Sequence, residues 1–433
     1  MKKIKTAIIF LGDVVILYGA LILTLFSRYG QNFKEPLNAH LKSFSLIFIV
    51  WLLVFYLTDL YKIKFLRINL KTVQNFVLAI VIGVVISIIL FYLFPSVFKL
   101  TPKTNLALFA LIFGVLNFLW RFILSKIFIS GGLKEKLLII GDSPTIEEIV
   151  NYLKNNPQIG YETAGVEKNI NNIERIIAER GINTIVIQPQ FKKDPEFIKI
   201  IYRLLPLKIS LIDLVNFYEI IFQKLPLEEL DEEWFIEKIA GRRRLYDIVK
   251  RIIEFSFSLI LSIALFPLMI LNAILIKLTS KGSIIYKQER IGENDKPFIL
   301  FKFRTMKTDI NGPLATEKND KRVTAVGKIL RFTHLDELPQ LWNILKGDIS
   351  FIGPRAERKE LVEFYRQLPY YEIRHIIKPG LTGWAQVNYK PSASLEEARE
   401  KLKYDIYYIK NRSLVLDLLI LIKTIRYLFT SHY

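Results

Sequence analysis

Four apolar runs, uncharged or nearly so, fill the first third of this 433-residue chain and decide most of what it can fold into. Thr6–Ser27 is interrupted only by Asp13. Ser43–Thr58 is uncharged but short, and Thr72–Phe98 is uncharged and long. Thr104–Trp120 is uncharged, with a helical apolar pattern continuing to about Ile129. Runs of this kind cross a bilayer as helices, because a helix satisfies its own backbone hydrogen bonds where no water can. That excludes a simple soluble enzyme, and the hydrophobicity excludes a disordered chain. The first run follows Lys2, Lys3 and Lys5 as a signal peptide would. It is too long for one, and three more spans follow without a clear small-x-small cleavage site, so it is read as a retained helix.

Loop charges set the orientation. Lys2, Lys3 and Lys5 precede the first span, and Lys62, Lys64, Arg67 and Lys71 separate the second and third. Arg121, Lys126, Lys134 and Lys136 end or follow the fourth. They outweigh Arg28, Lys34, Lys42, Lys99 and Lys103 on the other loops, which places both ends of the bundle in the cytoplasm. Asp13 is costly in lipid, and pairing with Tyr18 or another bundle residue is the expected resolution.

From Lys136 the character changes. Lys136–Gly141 reads as a buried strand, Pro144–Leu153 as a helix and Ile173–Arg180 as another. Thr184–Ile187 follows as a strand, Pro195–Leu204 as a helix and Lys208–Asp213 as a strand. The alternation predicts a small parallel α/β domain. Its first strand ends in Gly141-Asp142-Ser143-Pro144 rather than G-x-G-x-x-G, so the dinucleotide fingerprint is missing and a structural or regulatory role is favoured. An acid-rich linker and the basic run Arg242-Arg243-Arg244 come next.

Ile252–Ile276 is a fifth apolar stretch, long enough to span. Pro267 near its middle removes a helix hydrogen bond, and both flanks are basic, with Arg242 to Arg244, Lys250 and Arg251 before it and Lys277 and Lys281 after it. Positive charge on both sides favours ends on the same face. A helix bent at Pro267, entering and leaving by one side, satisfies both facts better than a crossing, with Ser262 available to satisfy a carbonyl freed at the bend.

The chain carries 60 Lys+Arg against 41 Asp+Glu, a net charge of +19. Nucleic acid, anionic lipid or a phosphorylated substrate can answer such an excess. In a membrane chain the last two come first, and no nucleic-acid partner is expected. The absence of Cys excludes disulfides, thiolate chemistry and Cys-ligated metals. With only His40, His334, His375 and His432, any metal should be a hard cation on carboxylates.

Cations, Gly and Pro concentrate from Gln288 onward: Lys302-Phe-Arg304-Thr-Met306, Asp320-Lys-Arg322, Arg331, Leu335-Asp336-Glu337-Leu-Pro339-Gln340, Gly353-Pro354-Arg355, then Lys378-Pro-Gly380-Leu-Thr382-Gly383 through Gln386-Val-Asn388. Lys302, Arg304, Arg322, Arg331 and Arg355 are donors suited to phosphate. The adjacent acids Asp336 and Glu337 can bind Mg²⁺, and an ionised carboxylate can attack phosphorus directly. Taken singly, the two acids are equally well an ordinary helix start, where acids complement the dipole. The full set beside a membrane segment favours phosphoryl chemistry. His334 is left outside the catalytic set.

KFRTM, LDELPQ, GPR and KPGLTGWAQVN in that order resemble the bacterial sugar-transferase family of polyprenyl-phosphate glycosyl-1-phosphate transferases. The whole chain resembles that family's large form, and the catalytic match covers roughly 242–433. The resemblance implies a transmembrane region (1–130), a Rossmann-like cytoplasmic α/β domain (131–225) and a linker (226–244). An α-rich monotopic catalytic domain (245–433) follows, with a re-entrant helix at about 245–278 broken at Pro267. It implies transfer of a sugar-1-phosphate from a UDP-sugar to undecaprenyl phosphate at the cytoplasmic face of the bacterial inner membrane, the initiating step of O-antigen, capsule, exopolysaccharide or glycoprotein glycan synthesis. Asp336 would be the nucleophile and Glu337 the Mg²⁺ ligand, with Lys302, Arg331 and Arg355 on phosphate and nucleotide. A homodimer through the membrane or α/β region is compatible with this organisation. Three positions depart from the family pattern: Phe266 precedes the bend proline where Ser is common, Tyr389-Lys390 stands where Gly-Arg is common, and Ala356 follows GPR where Pro is usual. The apolar face of Leu414–Phe429 suits either a helix lying on the membrane or a buried core helix.

Overall fold

The computed structural model describes residues 2–58, 60–61, 70–98, 103–130, 134–169, 173–204, 206, 209–239, 241, 243–307, 320, 322–389 and 394–430. The chain forms two compact units, Met1–Ile212 and Asp213–Tyr433.

The first unit opens with α1 (Lys2–Tyr29), α2 (Lys34–Leu57), α3 (Leu70–Leu93), the single turn α4 (Pro95–Phe98) and α5 (Lys103–Ser130). Among the described residues, α1, α2, α3 and α5 are long and apolar enough to cross a membrane, which makes this a membrane protein. The short second run is the buried end of a longer helix, 24 residues beginning at Lys34. Aromatic rings fill the bundle, with Trp51 meeting Phe113 edge-on at 5.2 Å and Phe109 at 5.4 Å. Trp51 donates from Nε1 to Ser87 Oγ (2.9 Å), and Ser87 donates to the Gly83 carbonyl a turn earlier (2.6 Å).

Asp13 is fully buried and is paired within the bundle as expected, with residues other than Tyr18. Tyr18 donates instead to Ser45 Oγ, 3.0 Å away. Asp13 accepts from Asn117 Nδ2 (2.8 Å) and Arg121 Nη2 (2.6 Å). Arg121, read above as a loop-flanking charge, is buried inside the bundle. Its remaining donors reach Asn117 Oδ1 and the Leu60 carbonyl, both at 2.8 Å. A buried charge in lipid is tolerable when paired and hydrogen-bonded in this way.

Next come β1 (Glu135–Ile140), α6 (Pro144–Asn155), β2 (Tyr161–Glu167), α7 (Ile173–Arg180), β3 (Thr184–Ile187), α8 (Pro195–Leu204) and β4 (Ser210–Asp213). The sheet order is β2-β1-β3-β4, with β1 parallel to both β2 and β3. Sequence reading missed β2, whose half-buried YETAGVE alternates weakly. In such sheets ligands bind where the strand order reverses, outside the carboxyl ends, here between β1 and β3. Gln188 fills that place. Its Oε1 accepts from Asp142 N (3.1 Å), and a methyl group added to Gly141 would come within 2.5 Å of the same oxygen.

The second unit contains α9 (Leu214–Phe222), α10 (Glu232–Lys238), α11 (Arg244–Ala264), α12 (Phe266–Thr279), β5 (Ile285–Ile291), β6 (Pro297–Phe303), α13 (Ala325–Phe332), α14 (Gln340–Lys346), β7 (Ser350–Ile352), α15 (Lys359–Tyr365), β8 (Gly380–Thr382), α16 (Trp384–Asn388), α17 (Leu395–Asn411) and α18 (Leu414–Thr430). β5 and β6 form one antiparallel pair, and β7 and β8 one parallel pair. The residues just before the catalytic match are packed into this unit. Trp384 donates to the Gln223 carbonyl (2.8 Å), Lys224 pairs with Glu400 (2.5 Å), and Tyr370 donates to the Leu230 carbonyl (3.1 Å).

α11 and α12 meet at Leu265 with a 59° bend. Pro267 lies in the first turn of α12, where its missing N–H breaks no helix bond. Ser258, a turn before Ser262, satisfies a carbonyl, that of Leu341 at 2.9 Å.

Candidate active site

Asp336 and Glu337 lie in a 3₁₀ turn, Leu335–Glu337, between α13 and α14. The turn is entered through His334 in the left-handed region, φ 55° and ψ 17°. A non-glycine residue held there costs about 1–3 kcal/mol and marks a place where surrounding packing dictates the backbone. The turn closes with Glu337 N donating to the His334 carbonyl (3.2 Å), and Pro339 starts the next helix.

Asp336 is buried, with 9% of its surface exposed. Burial raises its carboxyl above the ordinary aspartate value against the pull of Lys302, and Glu337 beside it adds to the rise. Burial acts the same way on Glu337, but the charge and hydrogen bond of Lys302 outweigh it, helped by Arg355 and His334, and its carboxyl lies below the ordinary glutamate value. Lys302 Nζ donates to Glu337 Oε1 at 2.6 Å. Two adjacent acids are thus held apart in acidity, one poised and one firmly ionised.

The predicted cations divide by position. Lys302 touches Glu337 directly. The charges of Arg331 and Arg355 reach Asp336 and Glu337 respectively. Arg331 is oriented by Nε donating to Thr305 Oγ1 (2.9 Å), and Arg355 remains exposed. Arg304 is buried and grips the end of α12 instead, donating from Nη2 to Ser280 O (2.8 Å) and Oγ (2.9 Å). Arg322 forms a bidentate pair with Asp320, whose carboxyl it holds down to about 2. Lys390 lies outside the described residues.

Three close backbone approaches fix this geometry. Gly327 opens α13 against the Thr305 carbonyl, where a methyl carbon would lie 2.1 Å from the oxygen. Gly353 and Gly380 bring β7 and β8 together just before Arg355. Arg374, buried behind them, donates to the Arg355 carbonyl (2.9 Å) and pairs with Asp405 (3.1 Å).

Sequence reading left His334 outside the catalytic set and did not single out Thr305 or Arg374. His334 had a signal, its place two residues before Asp336, whereas the other two act through backbone geometry that spacing does not show.

Among the described residues there is no cluster of three metal-ligating side chains. Mg²⁺ in general keeps waters and takes one or two carboxylates plus substrate phosphate oxygens. Glu337 and Asp336 offer hard oxygen donors for that purpose.

α18 presents an unusual face. Leu416 and Ile420 are buried, while Leu418, Ile422 and Ile425 are exposed. Its polar residues point inward: Lys423 donates to Asn388 Oδ1 (2.8 Å) and lies over the Trp384 ring, and Thr424 bonds Thr382 (2.8 Å). One side of this helix is therefore packed as core, and the other carries exposed apolar residues.

The chain thus combines membrane-length helices with a paired-acid turn that Lys302 touches and whose acids feel the charges of Arg331 and Arg355. The sequence pattern of the bacterial sugar transferase family matches residues 245–431. The chain is 30% identical over 314 residues to the UDP-glucose:undecaprenyl-phosphate glucose-1-phosphate transferase of Escherichia coli (strain K12), covering 67% of each protein. It is 44% identical over 191 residues to the UDP-N-acetylgalactosamine-undecaprenyl-phosphate N-acetylgalactosaminephosphotransferase of Aeromonas hydrophila, covering 43% of this chain and 45% of that one, so that match spans under half of the relative's length. It is 39% identical over 187 residues to the exopolysaccharide production protein PSS of Rhizobium leguminosarum bv. phaseoli, covering 41% of this chain and 94% of that protein. The chain belongs to the bacterial sugar transferase family.

Proposed function

We propose that this chain moves a sugar-1-phosphate from a UDP-linked sugar to undecaprenyl phosphate, at the cytoplasmic face of the bacterial inner membrane, as the first committed step of a surface polysaccharide or glycan. The observation that carries the reading is the buried Asp336 beside a Glu337–Lys302 pair at 2.6 Å, within the fields of Arg331 and Arg355.

In this reading an Asp336 carboxylate oxygen attacks the phosphorus attached to the sugar. The phosphorus–oxygen bond to UMP breaks, and UMP leaves with that electron pair. An acyl phosphate now joins Asp336 to the sugar phosphate. A phosphate oxygen of the lipid then attacks the same phosphorus, the bond to Asp336 breaks, and the carboxylate is regenerated. Lys302, Arg331 and Arg355 neutralise the charge of the approaching diphosphate, which is most of what phosphoryl transfer requires of a protein. Glu337 would hold Mg²⁺, and when bound the ion would supply further charge neutralisation on phosphate oxygens. The bend between α11 and α12 supports a re-entrant anchor that keeps the site at the bilayer surface, where the lipid phosphate lies.

The test is UMP release from protein in lipid nanodiscs, with Mg²⁺, undecaprenyl phosphate and a panel of UDP-sugars. Release should depend on one donor and disappear in Asp336→Asn, together with the covalent sugar-phosphate adduct. Near-normal turnover in that variant removes Asp336 from the reaction.

A further inference from the structure

Asn343 makes no contact with the acids or cations described above, yet it is fully buried on α14, at the centre of their support. Its side chain spans two elements. Oδ1 accepts from Phe301 N at 3.1 Å, and Nδ2 donates to the Ile299 carbonyl at 2.7 Å. The second Nδ2 hydrogen goes to Asp348 Oδ2 at 3.0 Å. Ile299 and Phe301 belong to β6, whose sheet has two strands among the described residues, so this edge has no strand neighbour among them. One side-chain amide thus exchanges both bonds with the strand, as a peptide group of a third strand would.

The amide has only one workable orientation, since reversing it would set two donors and two acceptors face to face. Aspartate would turn an acceptor toward the Ile299 carbonyl, and leucine would leave both backbone groups unsatisfied, at about 1–3 kcal/mol each. The residue after Phe301 is Lys302, whose Nζ reaches Glu337 Oε1 at 2.6 Å. Glu337 lies three residues before α14, on the turn that leads into it. The strand carrying the cation and the helix that follows the acids are therefore pinned to each other at Asn343.

We propose that Asn343 is the positioning residue that sets Lys302 against Glu337, and that its part in turnover runs through Lys302. This rests on the transferase reading for its kinetic consequence, though not for its structural one. A misplacement of about 1 Å in such a site costs about 10²-fold in rate.

The full chain in nanodiscs is compared as wild type, Asn343→Ala, Lys302→Met and the double variant, with kcat and KM measured for UMP release from the donor found active. Leu341→Ala, a core truncation on the same helix, reports a merely structural loss. Asn343→Ala should lower kcat/KM about 10–100-fold. The double variant should match Lys302→Met within about twofold, because effects through one shared group do not add. Leu341→Ala should instead multiply with Lys302→Met. Multiplication by Asn343→Ala as well overturns the proposal. Hydrogen exchange of the β6 peptide gives an answer independent of activity: Phe301 should exchange faster in Asn343→Ala, or in Asn343→Ser where the alanine variant does not fold. Unchanged exchange there also overturns it. A wild type silent with every donor sinks the transferase reading alone, and exchange then decides the positioning role.

Discussion

Replacing Gly380 by alanine should damage both stability and turnover, and the size of the effect follows from the β7–β8 approach. A methyl carbon on Gly380 would lie 2.0 Å from the Gly353 nitrogen and 2.5 Å from the Thr382 oxygen. Ordinary contacts settle near about 3.5–4.0 Å, so the two strands must part by more than about 1 Å. Bonds at the strand ends now include Ser350 N to Pro379 O (2.8 Å), Gly353 N to Thr382 O (2.9 Å) and Gly380 N to Pro354 O (2.8 Å). Parting by that much takes at least two beyond useful length, at a net ~0.5–1.5 kcal/mol each. Overpacking adds ~1–3 kcal/mol. The total of roughly 2–6 kcal/mol is a large share of a typical domain's ~5–15 kcal/mol. At ~2–4 °C per kcal/mol for a unit of this size, the midpoint should fall by roughly 5–20 °C. Arg355 shifts with the strand, so UMP release should drop about 10²-fold even below the new midpoint. Thermal unfolding followed by Trp fluorescence and the UMP assay read the two effects. Gly19→Ala, where added bulk meets nothing within 4 Å, is the control and should be neutral. Wild-type midpoint and turnover in Gly380→Ala would falsify the claim that backbone contact there sets the Arg355 loop.

The raised carboxyl of Asp336 and the lowered one of Glu337 fix a direction with pH. Turnover should fall as pH drops through the Asp336 value, above 3.8, while Glu337 stays ionised; Lys302→Met should move this acid limb upward, and an unmoved limb assigns it to another group. Pro267→Ala frees the φ that proline fixes in the first turn of α12 and should lower activity severalfold by loosening the α11–α12 bend; an accessibility label placed after residue 280 checks whether the exit side changes. A chain beginning at residue 245, the start of the family match, lacks the partners of Trp384, Glu400 and Tyr370, and should melt several degrees below one beginning at 213; equal midpoints would make that segment dispensable. An environment-sensitive fluorophore on Ile422→Cys, at the exposed face of α18, should report apolar surroundings in nanodiscs, and a water-like emission would place that face away from lipid.

The membrane spans were legible because lipid permits so few solutions: an uncharged run of twenty residues has little choice. The paired acids and the cation-rich motifs were legible because phosphate chemistry demands particular residue types. What composition could not convey was assignment among similar residues. Arg121 looks like a loop-flanking charge until Asp13 and Asn117 are seen beside it. Arg304 and Arg331 look alike in sequence, yet one holds a helix end and the other lies near Asp336. Asn343 was invisible because its partners are backbone groups, which every sequence has everywhere. β2 was missed because its pattern serves a strand with only one well-buried end.

The Asp13–Arg121 pair joins residues 108 positions apart. A ribosome adds ~5–20 residues per second, so α1 precedes the cation it needs by roughly 5–20 s. Through that interval the acid on the first span lacks the Arg121 counter-charge. The bundle cannot settle span by span, because its first member is completed only by its last. A chain that stops anywhere before residue 121 keeps the Asp13 carboxylate without this guanidinium, and a finished one does not. The ion pair thus records, inside the membrane, whether synthesis reached the fourth span.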